Sequence, residues 1–89
     1  MSQELSLKTE IELYNEFIAF EKSFIASHQT EIISLQLLVK KNFHNPTLRR
    51  ALRELIDQAV EEIEDSEKKI KRHKKKVEEL RWKLKTFTN

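Results

Sequence analysis

The chain gives its backbone one place to turn. It has no glycine and a single proline, and that proline stands in the segment NFHNPT, residues 42–47. Without glycine, the usual route to tight turns and phosphate-cradling loops is missing. Asn45 suits a helix N-cap, and Pro46 then takes the first helical position, where an absent N–H does no harm. Asn42 is expected to close the preceding helix in the left-handed conformation, with Lys40 and Lys41 favourable in its last turn. The expected organisation is one domain over residues 1–89, with a helix at about 5–42, a turn at 42–47 and a helix at about 46–86. At ~1.5 Å per residue each helix is roughly 60 Å long. Helices of that length in 89 residues predict an all-α antiparallel coiled-coil hairpin.

The apolar periodicity agrees. In the second helix Ile56, Ile63, Ile70, Val77 and Leu84 recur every seven residues, accompanied by Leu52, Ala59, Ser66, His73, Leu80 and Phe87. In the first, Ile11, Ile18, Ile25, Ile32 and Val39 alternate with Leu7, Tyr14, Glu21, His28 and Leu35. Such a stripe is the seam of paired helices. Folding back at the turn sets Val39 near Leu52, Leu35 near Ile56, Ile32 near Ala59 and Ile25 near Ser66. Further along, Ile18 meets His73, Tyr14 meets Val77, Ile11 meets Leu80 and Leu7 meets Leu84. Polar residues on the stripe read as devices that specify register at some cost in stability.

The first helix carries more apolar surface than one seam consumes. Leu13, Phe17, Phe20 and Phe24 form a second stripe, extended toward the turn by Ile33, Leu37 and Leu38. Phe17, Phe24 and Leu38 flank the seam, whereas Leu13, Phe20, Ile33 and Leu37 point further away. Leu48, Leu55 and Val60 broaden the second helix near the same end. A two-helix hairpin has no third layer to cover them, and a large exposed apolar patch marks an interface. Those seven residues of the first helix are the candidate protein interface. The expected occupant is a second copy, giving a homodimeric four-helix bundle, with a heterologous protein partner as a further use. The competing fold is a three-helix bundle in which the first helix breaks near His28 and Gln29.

Chemistry is sparse. No cysteine is present, which excludes disulfides and cysteine metal sites and fits a reducing compartment. There is no HExxH, no GxxxxGK[ST] and no nucleophile spaced with an oriented base. Three histidines without a close carboxylate cluster do not make a metal site. No catalytic residue, metal or cofactor is expected, and the reading is non-enzymatic. MSQELSLKTE lacks the basic region and apolar core of a signal peptide, and no apolar run reaches the ~20 residues that span a bilayer. A cytoplasmic protein without a membrane partner is expected. Tyr14 and Trp82 read first as packing residues, although Trp82 lies off the seam.

Charge is uneven. Residues 61–67 hold five acids and residues 68–76 hold seven lysines or arginines, although the formal net charge is only +2. Pairs four apart, such as Glu64 with Lys68, Asp65 with Lys69, and Glu67 with Lys71, are expected to compensate part of the field. The same holds for Lys74 with Glu78 and Lys75 with Glu79. What remains is a modest positive patch at Arg72, Lys75 and Lys76, a candidate electrostatic contact. The expected function is a small protein-interaction module, an adaptor, chaperone or inhibitor-like binder, working through the apolar face of the first helix. The alternative is sequence-independent nucleic-acid binding through the basic patch. Against it, no aromatic residues interleave the lysines for stacking.

Overall fold

A computed structural model describes residues 2–88. Two helices, α1 (Gln3–Lys41) and α2 (Pro46–Thr88), account for nearly all of them. They fold back on each other as an antiparallel hairpin, a rod of 67 × 15 × 14 Å. α1 is continuous, so the three-helix alternative falls: the stretch through His28 and Gln29 is uninterrupted helix.

The helix ends follow from local hydrogen bonding. α1 begins two residues earlier than expected because Ser2 caps it, its side chain accepting from the Leu5 N–H at 3.2 Å. Glu4 adds a favourable negative charge in the first turn. At the other end the expectation for Asn42 needs correction. Its φ is −111° and ψ is 34°, outside the left-handed region. Instead, its backbone N–H and its side-chain amide both donate to the Leu38 carbonyl, at 3.0 and 2.8 Å. The side chain thereby gives a carbonyl of the last turn a second donor, and the helix ends without positive φ.

The turn closes through the Asn45 N–H donating to the Asn42 carbonyl at 3.0 Å. Asn45 then caps α2 as expected, its Oδ1 accepting from the Leu48 N–H at 3.1 Å. Arg49 braces the corner: it donates to the Phe43 carbonyl at 3.1 Å, and its guanidinium lies 5.5 Å from the Phe43 ring centre.

Packing between the helices runs the whole length of the rod. From Leu7 to Val39 the covered residues of α1 are Leu7, Ile11, Tyr14, Ile18, Glu21, Ile25, His28, Ile32, Leu35 and Val39, alternating steps of four and three. α2 answers with Leu52, Ile56, Ala59, Ile63, Ser66, Ile70, His73, Val77, Leu80 and Leu84 at the same spacing. These are the seam residues expected from the sequence except Phe87, which is exposed because α1 has no apolar seam residue beyond Leu7 to face it at the open end of the rod. Leu80 and Ala59 are 2% and 3% exposed, the deepest of the apolar positions. Ser66, at 2%, lies equally deep, and its small side chain keeps the layer thin. The available cross-contacts agree with the expected register. The Tyr14 and Phe17 rings stand 5.6 and 5.5 Å from His73, and His28 reaches Glu62.

Candidate interaction surface

A rod only two helices thick cannot cover all of its apolar side chains. Every candidate interface residue of α1, Leu13, Phe17, Phe20, Phe24, Ile33, Leu37 and Leu38, is exposed. The graded expectation also matches. Phe17 beside the seam is 41% exposed, whereas Phe20 on the outer flank is 68% exposed. Leu48, Leu55 and Val60 of α2 are exposed as well.

The seven residues do not form one strip. Phe17, Phe20 and Phe24 follow one another at three and four, so they share a flank of α1. Ile33 comes nine residues after Phe24. At ~100° per residue it lies on roughly the opposite flank. There Ile33 and Leu37 border an open groove with Val39, Lys40, Arg53 and Ile56, of about 630 Å³. Leu38, fourteen residues after Phe24, returns to the Phe24 flank two heptads on. The broad apolar face is thus an aromatic cluster near the middle of the rod and an aliphatic one at Leu38, Leu48 and Leu55, by the turn.

A polar bridge divides the two clusters. His28 presents Nδ1 to Glu31 at 3.3 Å and Nε2 to Glu62 at 2.8 Å. The Glu62 carboxylate is close but off the line of the ring nitrogen, leaving Nε2 without a hydrogen bond. The contact is therefore one of proximity rather than a made bond. Phe24 packs edge-on against the same imidazole, with ring centres 4.4 Å apart. Phe24, His28 and Glu62 thus lie on one side of the hairpin. Two carboxylates beside His28 were not foreseen from sequence. Glu31 was findable at a spacing of three, and Glu62 only once the register was applied. Each ring nitrogen faces a different carboxylate, which is a bridge and not a chelate. Among the described residues no group of three or more His, Asp or Glu side chains is placed to hold a metal ion.

The basic block is arranged differently from the expected patch. Lys68, Lys71, Arg72 and Lys75 border one outward surface of α2. Lys76 lies to one side of it, partly covered, with Nζ 3.9 Å from Glu79. The five expected pairs at a spacing of four do not close to ion-pair distance. In water, fixing two long side chains costs entropy that a screened attraction scarcely offsets. Trp82 is 68% exposed on the outer side of α2 and does not pack. Among the described residues no helix is long and apolar enough to cross a membrane. No protein family, curated protein or solved structure matches the chain.

Proposed function

We propose that this protein is a non-enzymatic interaction module of the cytoplasm, a coiled-coil hairpin that docks through the apolar flank of α1 and dimerises into a four-helix bundle. The observation carrying this reading is the exposed run Phe17, Phe20 and Phe24. Three phenylalanines within two helical turns, on a rod with no third layer, leave apolar area in water that association would remove. At ~25 cal/mol per Å² that area is a strong drive to find a partner. Leu38, on the same flank, offers a second contact near the turn, and Leu37 offers a separate one on the opposite flank. The test is Phe20→Asp and, separately, Leu37→Asp. Association is expected to fall while helical circular dichroism is kept. Unchanged association in both variants would reject the reading.

A second reading rests on a different observation, the outward surface bordered by Lys68, Lys71, Arg72 and Lys75. Such a stripe suits phosphate contacts without base readout. Lys75→Glu with Lys76→Glu would abolish nucleic-acid binding of this kind, and wild-type binding would fade steeply with salt. If neither DNA nor RNA is retained at low ionic strength, this second reading is wrong.

A further inference from the structure

We infer that the occupant of the aromatic flank is a second copy of this chain lying antiparallel along the full rod, with the two-fold axis crossing near Phe24 and the Glu67–Lys68 junction. The inference rests on the proposed interaction reading and gives it a partner and an orientation.

Area points to a large partner. A compact protein of this size exposes ~5,500 Å², and the rod exposes 7119 Å². The difference of about 1,600 Å² is roughly twice the ~800 Å² one partner contributes to an ordinary stable interface.

Charge points to a copy, and to its direction. Glu62, Asp65, Lys69, Arg72 and Lys76 succeed one another at three and four, so they share a flank of α2. Glu62 touches His28, which packs on Phe24, so this flank borders the aromatic cluster. Along this run the two acids, Glu62 and Asp65, precede Glu67 and the three bases, Lys69, Arg72 and Lys76, follow Lys68, before Glu79 ends the basic stretch and pairs with Lys76; Glu67 stands midway between Pro46 and Thr88. A helix whose charge changes sign at its midpoint is complementary to itself when reversed. Rotation about that midpoint brings Glu62 and Asp65 of one copy level with Arg72 and Lys69 of the other, with Lys76 one turn further out.

The same rotation serves α1. A two-fold axis perpendicular to the rod stacks α1 on α1 and α2 on α2. Phe24 then meets its own counterpart, and Phe20 lies against Phe24 and Ser27 of the other copy. A parallel dimer would instead lay α1 over the partner's α2. That would set Phe17 and Phe24 against Lys69 and Lys76 and bring the two basic blocks to the same end. Aromatic on aromatic with acid on base is the better match.

The experiment uses the full chain in three forms. Sedimentation across a concentration series should show a dimer for the wild type. Lys69→Glu with Arg72→Glu and Lys76→Glu makes the run from residue 62 to 76 acidic on this flank; Glu62→Lys with Asp65→Lys makes the same run basic. Each alone should dimerise more weakly, by roughly tenfold or more, while an equimolar mixture should pair as tightly as the wild type. Circular dichroism of each variant confirms that the helices persist. In the wild-type background, a single spin label on a cysteine replacing Ser6 should report about 50 Å between copies if antiparallel, and about 20 Å or less if parallel. A dimer with the short distance overturns the orientation and leaves the interaction reading standing. A dimer indifferent to the charge changes overturns the pairing of the flanks. A monomer at all concentrations overturns the copy as occupant; capture of another protein that Phe20→Asp abolishes would then still support docking.

Discussion

Asn42 and Asn45 do different work three residues apart. Asn45 accepts from the Leu48 N–H, so Asn45→Ala should lower stability by about 1 kcal/mol in urea unfolding. Asn42 donates its amide to Leu38 at negative φ. If it were a left-handed cap, glycine would improve it. Here Asn42→Gly should instead cost about 1 kcal/mol, from the lost bond and the freer unfolded chain. An increase in the unfolding midpoint for Asn42→Gly would contradict the observed geometry. The Asn45–Pro46 start was legible because a cap followed by proline is a local signal. The Asn42 stop was read wrongly because asparagine has two ways to end a helix, and sequence does not choose between them. Ser2 was missed although a capping serine followed by Glu4 was there to be read.

At the scale of the helices, the seam was legible almost residue by residue, since a repeat of three and four leaves one direction in which the chains can face. Leu80, 2% exposed, lies within it. Leu80→Ala should destabilise by about 2–4 kcal/mol. Phe20→Asp should leave the stability of the single hairpin within ~0.5 kcal/mol; measuring both below the association range separates core from surface. A comparable loss in the two would mean Phe20 is packed within the hairpin. The division of the apolar residues between two flanks was also present in the numbering, as the nine-residue step from Phe24 to Ile33. The ion pairs were not legible. Exposed lysines and glutamates have many hydrated conformations of similar energy, and spacing alone does not select the paired one.

For the molecule as a whole, length dominates. The Cα radius of gyration is 19.9 Å, against ~12 Å for a compact chain of this length. Two rods lying side by side in full overlap add mass without adding length. X-ray scattering of the dimer should therefore give a radius of gyration only about 1 Å larger. A rise of several Å would indicate a staggered or end-to-end assembly. The hairpin also orders its contacts in time. Leu35 and Leu52 both lie in the seam layers next to the short loop, whereas the partners of Leu7 and Ile11 must arrive from the far end of the chain. Because closing a longer loop costs more entropy, folding should begin at the turn and zip outward. Leu35→Ala or Leu52→Ala should then slow folding, while Leu80→Ala should mainly hasten unfolding. Stopped-flow rates with the opposite pattern would place the nucleus at the open end. The four-residue corner, which looks like a mere connection, is where the clock of this protein starts.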